Sequence, residues 1–303
     1  MKSLILNNKL TIPSIGLGTW RSEQGEVAKA VEYALLESRY QHIDCAAIYG
    51  NEKEIGTAFK KVFRSDKKRQ DTFVTSKLWN TQHHPDNVEA ACKQTLADLN
   101  LEYLDLYLIH WGIAFQPSTE SDPMGDNGII KTEKVSLYQT WQAMEKLVEN
   151  GLVRSIGVSN FTAPMLLDLV TSSQIKPVVN QIEIHPYNTQ EALVEFCQKL
   201  DVQVTAYSPL GSINDKSPRP LEDKLVTRIA KAYGKTPAQI LIRWSHQRDL
   251  IVIPKSTNTN RIAENIDVYD FELEEKDMKQ LNSLNKDFRF VDPSQWWGIP
   301  YFK

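Results

Sequence analysis

Several titratable side chains stand at or just after short apolar runs, and their types suit proton transfer to a carbonyl oxygen. They are Asp44, Tyr49, Lys77 and His110. A phenol with a pKa of about 10 donates poorly at neutral pH, but an ammonium group beside it favours the phenolate and lowers that pKa. With its pKa lowered by Lys77, which Asp44 would fix, Tyr49 becomes a general acid. His110 would orient the substrate oxygen and share its developing negative charge.

This set favours carbonyl reduction, because it offers a proton donor without a nucleophile. The sequence has no G-x-S-x-G elbow, no H-E-x-x-H motif and no carboxylate pair suited to glycoside cleavage. Taken singly, the residues have simpler interpretations: Asp44 caps a helix, Lys77 is solvated and His110 is a packing residue. Their joint placement at the ends of different apolar runs favours a catalytic set that works with a hydride-donating cofactor.

Short β-type runs alternate with helical patterns along the chain, and this order predicts a barrel of parallel strands. The candidate strands centre on Leu17, Ile43, Val74, Leu106, Ile156, Val179, Val204 and Ile251. Each parallel return needs a crossover of about a dozen residues or more. Units averaging about 38 residues fit a (β/α)8 TIM barrel, in which catalytic groups lie at the carboxyl ends of the strands.

Two further elements are expected outside the regular repeat. The apolar runs Leu4–Leu6 and Leu10–Ile12 flank a pair of asparagines and predict an N-terminal β-hairpin. An extra helix is expected around Pro237–Gln247, within the long interval before the last strand. Since no linker or internal repeat divides the chain, residues 1–303 are predicted to form one domain.

Long segments are predicted to cover the carboxyl-end face of the barrel. Two polar loops that directly follow strands, Gly112–Lys131 and Gly211–Pro220, are candidate lids. The aromatic-rich C-terminal tail, Asp287–Lys303, is expected to lie over the same face. These segments would shape the pocket in which the catalytic groups meet.

Composition and charge favour a cytoplasmic enzyme that acts on a small molecule. The chain has 303 residues, of which 41% are apolar and 24% charged, and its net charge is −3. This charge offers no basic field to nucleic acid or to an anionic membrane, and neither a signal-peptide region nor a bilayer-spanning run is found. The cysteines, Cys45, Cys92 and Cys197, are too far apart for a disulfide framework or a CxxC metal site. We therefore expect no metal and no obligate protein partner.

A basic cluster after the last strand is the candidate cofactor site. Lys255, Ser256 and Arg261 lie near the start of a short predicted helix, Asn258–Glu264. Cationic side chains at a helix N-terminus bind phosphate groups well. The G-x-G-x-x-G fingerprint of a Rossmann site is absent. A solvated surface cluster is the simpler alternative for these residues.

Taken in order, the motifs of the chain resemble the aldo-keto reductase family over nearly its whole length. The matching segments are His42–Glu52 (HIDCAAIYGNE), Tyr103–Trp111 (YLDLYLIHW), Gly157–Phe161 (GVSNF), Asn180–Tyr187 (NQIEIHPY), Ala206–Ser212 (AYSPLGS) and Ile253–Asn265 (IPKSTNTNRIAEN). Each is moderately specific, whereas all of them in this order are very specific. The resemblance implies a TIM barrel that reduces aldehydes or ketones with NADPH, in the branch of aldose, aldehyde and xylose reductases.

The resemblance also implies a role for each candidate residue. The catalytic tetrad would be Asp44, Tyr49, Lys77 and His110. The nicotinamide would contact Ser159, Asn160, Gln181 and Tyr207. The pyrophosphate would contact Ser208, Leu210 and Ser212. The adenosine end would contact Lys255, Ser256, Arg261, Glu264 and Asn265. Because Lys255, Ser256 and Arg261 would surround the 2′-phosphate, we expect NADPH to bind in preference to NADH, with NADH as a weaker alternative.

Aromatic residues indicate the kind of substrate. Those expected in the pocket are Trp20, Trp79, Trp111 and Phe115 and, from the tail, Phe288, Trp296 and Trp297. Such walls suit apolar or aromatic aldehydes. Open-chain sugars are also candidate substrates, because the tail resembles that of the aldose and xylose reductase branch. By resemblance the protein is a monomer.

The sequence is compatible with two other functions besides that of a reductase. The first is an NADPH-binding regulatory or structural subunit without significant turnover, against which the intact tetrad argues. The second is a phosphate-binding barrel isomerase, which would use the anion site but leaves Tyr49 and Tyr207 unexplained.

The chain departs from the family pattern at positions close to the site. Cys45 replaces a common threonine, and an inert buried thiol is expected there rather than an oxidation-sensitive one. Gly112 replaces a common proline, which we expect to loosen the start of the first lid. The loop Ile213–Pro220 is short, so we expect it to clasp the pyrophosphate less fully.

Overall fold

The computed structural model describes residues 2–65, 67–212 and 218–303, and its strands follow the predicted repeat. Two strands form an antiparallel hairpin: β1 (Ser3–Ile5) and β2 (Thr11–Pro13). The barrel strands are β3 (Leu17–Gly18), β4 (His42–Asp44), β5 (Phe73–Leu78), β6 (Leu106–Ile109), β7 (Ile156–Ser159), β8 (Val179–Glu183), β9 (Gln203–Tyr207) and β10 (Ile251–Val252). Each barrel strand pairs in parallel with the next one along the chain.

The first and last strands of this sheet meet and close the barrel. The backbone N–H of Gly16 donates to the carbonyl of Val252 at 2.9 Å, and that of Gly18 donates to the carbonyl of Pro254 at 3.0 Å. A parallel bridge joins Ile15 to Val252 as well. The predicted (β/α)8 barrel is therefore confirmed, and a closed sheet leaves no unpaired edge.

The helices between barrel strands form the crossovers, and further helices follow the last strand. They are α1 (Val27–Leu36), α2 (Glu52–Val62), α3 (Pro85–Leu99), α4 (Leu137–Glu149), α5 (Ala163–Ser172), α6 (Glu191–Lys199), α7 (Lys224–Tyr233), α8 (Pro237–Gln247), α9 (Thr259–Ile266), α10 (Glu275–Asn282) and α11 (Ser294–Trp297). In α1 the three- and four-residue spacing of Val27, Val31 and Ala34 places these side chains in the core. The extra helix predicted before the last strand is α8.

The N-terminal hairpin closes the end of the barrel opposite the predicted site. Leu6 and Ile12 from the hairpin region are buried in one cluster with Phe73, Leu106 and Ile251 from the barrel strands. Burial of apolar side chains here keeps water out of that end. The barrel interior is therefore accessible from the carboxyl ends of the strands, where the long loops lie.

The loop after β6 and the C-terminal tail pack together over that face. Trp111, Phe115 and Ile130 from the loop are buried in one apolar cluster with Val291 and Trp297 from the tail. The backbone N–H of Ile130 donates to the carbonyl of Trp297 at 3.0 Å. The first predicted lid is thus held by the tail.

Part of the second predicted lid cannot be compared with its prediction. Residues 213–217 of the loop Ile213–Pro220 lie outside the described residues, and so does the expectation that this loop clasps the pyrophosphate less fully.

Within the described residues, no helix has both the length and the apolar character needed to cross a membrane. The same part of the chain contains no group of three or more histidine, cysteine, aspartate or glutamate side chains placed to hold a metal ion.

Candidate active site

A buried ion pair lies at the centre of the predicted site. Lys77, from the end of β5, is fully buried, and its ammonium contacts the carboxylate of Asp44, the last residue of β4. The same Nζ donates to the carbonyl of Cys45 at 2.8 Å and to the hydroxyl of Tyr49 at 3.3 Å. Tyr49 stands on a single 3₁₀ turn after β4, which brings its ring back over the strand ends. The structure therefore joins three of the four predicted tetrad residues directly.

The electrostatics of this group keep Lys77 charged and Tyr49 neutral. Burial lowers the pKa of Lys77, but the charges of Asp44 and Tyr49 outweigh that effect and raise the pKa above its usual value. Burial raises the pKa of Tyr49, and the nearby Lys77 ammonium offsets only part of the rise. The predicted downward shift of the Tyr49 pKa is therefore wrong in direction, because desolvation outweighs the ammonium. A phenol that keeps its proton at neutral pH can still donate it.

His110 completes the group from the end of β6. Its ring lies edge-on to Tyr49 with 5.9 Å between centroids, and edge-on to Trp79 at 5.2 Å. Burial, with the Lys77 charge and His83 nearby, holds the pKa of His110 well below its usual value. The imidazole is therefore neutral at physiological pH and carries a single N–H donor.

Amide and hydroxyl groups from the next strands connect to the tetrad. Gln181 donates through Nε2 to Asp44 at 2.8 Å. Asn160 donates through Nδ2 to the His110 carbonyl at 3.0 Å, and its Oδ1 accepts from the Tyr207 hydroxyl at 2.8 Å. The Asn160 N–H also donates to the Gln181 carbonyl at 2.9 Å, so these bonds join residues of β4, β8 and β9 and His110 after β6 in one network with Asn160, which follows β7. Such a network fixes the side chains before any ligand binds.

A cavity of about 540 Å³ opens beside this network. The predicted site residues that line it are Trp20, Asp44, Tyr49, Trp79, His110, Trp111, Ser159, Asn160, Gln181, Tyr207, Ser208, Leu210, Ser212, Lys255, Trp296 and Trp297. Its volume falls in the range of sites that hold cofactors and drug-sized ligands. The cavity therefore brings most of the predicted tetrad, cofactor and substrate residues together.

Other predicted residues lie away from the cavity wall. Lys77 stands behind Tyr49, and Phe115 is buried behind the lining, with its ring 4.8 Å from that of Trp297. The prediction that Phe115 faces the substrate is therefore corrected, since it supports the wall from behind. Phe288 packs against Phe290 and does not line the cavity either.

Two of the predicted 2′-phosphate residues, Ser256 and Arg261, lie around the start of α9 and outside the cavity lining. Asn258 caps this helix by accepting from the N–H of Arg261 at 3.1 Å, and the Ser256 hydroxyl accepts from the N–H of Asn258 at 3.1 Å. Lys255 lines the cavity, and its ammonium donates to the carbonyl of Arg21 at 2.9 Å. The other predicted adenosine contacts lie further along the same helix, Glu264 exposed and Asn265 buried.

Sequence reasoning missed several lining residues. Ile48, Val291 and the loop residue Asp122 line the cavity at its substrate end. The side-chain N–H of Trp297, which the sequence did predict in the pocket, donates to Asp122 at 2.7 Å. Ile48 directly precedes Tyr49 in the chain, but an apolar residue at that place gives no signal of a lining role. Val291 and Asp122 reach the cavity because the tail packs on the loop after β6, and no local sequence pattern predicts that packing.

The structure also shows the surroundings of two departures from the family pattern. Cys45 is fully buried, and burial raises the pKa of its thiol well above the usual value, as an inert thiol requires. A Cβ at Gly112 would lie 1.9 Å from Met165 Cε, so a side chain does not fit without movement there. The Gly112 N–H donates to the Tyr301 hydroxyl at 3.0 Å, a bond that proline could not make and that works against the expected loosening.

The site has groups that fit a nicotinamide dinucleotide. Gln181 uses its Nε2 on Asp44, and within the described residues its Oε1 has no partner, so an amide donor can be accepted there. Tyr207 offers a ring in the cavity wall, and Lys255 stands at the far end beside the α9 N-terminus. An elongated site with a cationic side chain at one end suits an anionic dinucleotide.

Comparisons with known proteins agree with this geometry. The model of the aldo/keto reductase family matches residues 14–286. Aldo-keto reductase family 1 member A1 of Homo sapiens is 48% identical over 298 residues, which are 96% of this chain and 91% of the relative. The aldose reductase structure from Schistosoma japonicum superposes with a TM-score of 0.94 at 45% identity and covers 100% of this chain and 99% of its own. A Bombyx mori aldo-keto reductase in complex with NADP gives 0.90 at 40% identity, covering 99% and 98%.

The chain therefore belongs to the aldo/keto reductase family. It is an oxidoreductase that uses NADP(H), as the sequence predicted.

Proposed function

We propose that the protein reduces aldehydes or ketones to alcohols with NADPH, and that Tyr49 supplies the proton. The observation that carries this proposal is the contact of the buried Lys77 ammonium with both Asp44 and the Tyr49 hydroxyl, at the floor of an aromatic cavity. We infer the same aldehyde and aldose reductase chemistry that the sequence predicts, with open-chain aldoses among the substrates.

The catalytic roles follow from the charge states. Neutral Tyr49 donates its hydroxyl proton to the carbonyl oxygen, and the phenolate left behind is stabilised by the Lys77 ammonium 3.3 Å away. Asp44 keeps that ammonium charged and in place. Neutral His110 donates one N–H to the same oxygen as negative charge develops on it. Bound NADPH supplies the hydride that the carbonyl carbon accepts.

The cofactor residues divide along the cavity. Ser159, Asn160 and Gln181 would bind the carboxamide and Tyr207 would stack on the ring. Ser208, Leu210 and Ser212 would contact the pyrophosphate. Lys255, Ser256, Arg261, Glu264 and Asn265 would hold the adenosine end. In this arrangement the carboxamide contacts hold the nicotinamide at the tetrad, while the cationic contacts give the preference for NADPH.

Removal of the two cations at the adenosine end should separate NADPH from NADH. In Lys255→Ala/Arg261→Ala, we expect the Kd for NADPH to rise about 100-fold, because charged hydrogen bonds to the 2′-phosphate are lost. The Kd for NADH should change less than about threefold, since NADH lacks that phosphate. Fluorescence titration measures both values. Lys93→Ala, which removes an exposed lysine on α3, is the matched control, and equal losses for the two cofactors would show that the trio is misassigned.

The substrate end of the cavity suits carbonyl compounds with an apolar or aromatic body. Trp20, Trp79 and Trp111 contribute its walls. Among the described lining residues, carboxylates come from Asp44, which is paired with Lys77, and from Asp122, which is exposed at the mouth. The Asp122 carboxylate repels an anionic substrate and does not repel a neutral one.

Replacement of this mouth carboxylate should change selectivity for charge. In Asp122→Asn, we expect kcat/KM for an aldehyde that bears a carboxylate to rise about threefold to fivefold, because an exposed charge pair is worth about 1 kcal/mol or less. The uncharged analogue should be unaffected, since the asparagine Oδ1 still accepts from Trp297. Steady-state rates for the matched substrate pair at low and high salt measure the effect. An equal change for both substrates would contradict a charge-based role.

We further infer a cytoplasmic, monomeric protein with residues 1–303 in one domain. The three cysteines are buried and free, as in proteins of reducing compartments. Size-exclusion chromatography with light scattering tests the monomer, and a mass of about twice 34.7 kDa would contradict it.

Turnover tests the proposed function. The purified protein should form one alcohol per NADPH consumed with benzaldehyde-like, short aliphatic or sugar aldehydes. Tight NADPH binding without alcohol formation on any of them would favour a regulatory subunit instead.

A further inference from the structure

A buried carboxylate of the barrel holds the C-terminal tail beside the substrate end of the cavity. Glu183, the last residue of β8, has no exposed surface. Its Oε1 accepts from the N–H of Phe290 at 2.7 Å, and its Oε2 accepts from the N–H of Val291 at 2.9 Å. Two consecutive backbone groups of the tail thus bind one carboxylate, and Val291 itself lines the cavity.

The carboxylate oxygens of Glu183 are stabilised by hydrogen bonds. Within the described residues, neither a lysine nor an arginine forms an ion pair with it, and His185 contributes the third contact, from Nε2 to Oε1 at 2.8 Å. If the tail left, His185 alone would remain for a carboxylate that is still largely buried. A buried charge that loses its donors is strongly destabilising. Glu183 therefore penalises any state in which the tail is undocked.

Weaker contacts flank this anchor on both sides. The carbonyl of Tyr187 accepts from the N–H groups of Lys286 and Phe288 at 3.1 and 3.0 Å. Further along, Trp297 donates to the exposed carboxylate of Asp122. The bonds to Glu183 lie between them, directly before the tail residues that line the cavity. Because hydrogen bonds to a buried charged acceptor are stronger than neutral ones, this anchor is a stronger polar contact than the bonds that flank it and adds to the apolar packing of the tail.

Glu183 also relates the tail to the cofactor side of the site. It pairs in register with Tyr207 on β9, and the N–H of the next residue, Ile184, donates to the Tyr207 carbonyl at 3.2 Å. One strand pair thus carries the predicted nicotinamide platform and the anchor of the substrate wall. Their separation is fixed by the sheet rather than by a loop.

We propose that Glu183 is a positioning residue that docks the tail on the barrel and thereby determines how tightly the pocket holds large carbonyl substrates. It acts through Val291 and Trp297 and does not touch the reacting atoms. This inference rests on the proposed carbonyl reductase function. A substrate too small to reach the tail is indifferent to Glu183.

Glu183→Gln tests the anchor with little change of shape. The amide oxygen can accept one tail N–H, but the amide NH₂ opposes the other, so one bond is lost. We expect KM for an aromatic aldehyde to rise about tenfold, with kcat changed less than about twofold. KM for a two- or three-carbon aldehyde and the Kd for NADPH should stay the same. Glu195→Gln, at an exposed ion pair on α6, is the matched control and should change none of these values.

A double-mutant cycle in the full chain separates an effect through the tail from an effect on the barrel. Trp297→Ala removes a tail side chain that lines the cavity and should raise KM for the aromatic aldehyde. Glu183→Gln added to Trp297→Ala should then raise this KM less than it does in the wild type. An undiminished effect of Glu183→Gln in the Trp297→Ala variant, or equal KM changes for large and small aldehydes in Glu183→Gln alone, would overturn the proposal.

Limited proteolysis gives a readout that does not depend on turnover. Trypsin cuts after Lys286 and Arg289, where the tail begins, and we expect Glu183→Gln to be cut there at least about fivefold faster than the wild type. Glu183→Asp, which keeps the charge but shortens its reach, should give an intermediate rate and serves if the glutamine variant does not fold. Unchanged cutting in both variants would overturn the anchor, whether or not the wild type reduces either aldehyde.

Discussion

Tyr49→Phe should abolish carbonyl reduction while leaving cofactor binding intact. The phenylalanine ring keeps the edge-on packing against His110 but lacks the hydroxyl that contacts Lys77. Loss of a positioned general acid costs about 10²–10⁴-fold in rate, so we expect kcat to fall by at least that range. Single-turnover rates with saturating NADPH measure the chemical step.

The Kd for NADPH in Tyr49→Phe is the internal control and should change less than about twofold. Rates near the wild-type value would remove Tyr49 from the mechanism. A large loss of NADPH affinity would instead show that the substitution disturbs the cofactor site, and the rate alone would then not identify a proton donor.

Lys77→Met should cost both stability and activity. The lysine is fully buried and is the ion-pair partner of Asp44, so its removal leaves a buried carboxylate that keeps one side-chain donor, Gln181. Breaking a buried ion pair in this way destabilises a protein by about 3–5 kcal/mol. The phenolate of Tyr49 also loses its stabilising charge, so we expect kcat to fall about 10²-fold or more. Denaturant unfolding and steady-state rates measure the two effects.

A second variant separates these effects. Asp44→Asn/Lys77→Met removes both charges, so it should recover much of the free energy of unfolding lost in Lys77→Met and recover none of the activity. Lys93→Met, at an exposed position on α3, controls for the loss of a lysine. A free energy of unfolding within about 1 kcal/mol of the wild type in Lys77→Met would contradict the role of this pair.

Local patterns predicted the elements that carry the tetrad. The alternation of apolar runs and helical spacing is sufficient because a parallel strand order requires crossovers, and crossovers leave the carboxyl ends of all strands at one face. Asp44 and His110 could be placed there on that argument alone. The strand before His110 is shorter than its apolar run, Tyr103–Ile109, suggests: β6 begins at Leu106, and just before it the Asp105 carboxylate, in place of a backbone carbonyl, accepts from the N–H of Val74 at 2.9 Å.

The sequence alone does not show whether burial or a nearby charge has the larger effect on the pKa of a side chain. For Tyr49 the residue types indicate an attractive ammonium, but the depth at which the phenol is packed decides the direction of its pKa. Phe115 shows the same limit, since only the packing of the tail on the first lid puts it behind the cavity wall. The role of Glu183 gave no signal in the sequence, because its two tail partners are backbone groups more than 100 residues away.

Transfer of an isotopic label tests the central claim most directly. The wild-type protein is mixed with an aromatic aldehyde and NADPH that carries deuterium at the transferable position, and the alcohol is analysed by mass spectrometry. We predict that the alcohol carries one deuterium on the former carbonyl carbon and that Tyr49→Phe forms almost none of it. Alcohol without the label, or equal label from both proteins, would contradict carbonyl reduction with Tyr49 as the proton donor.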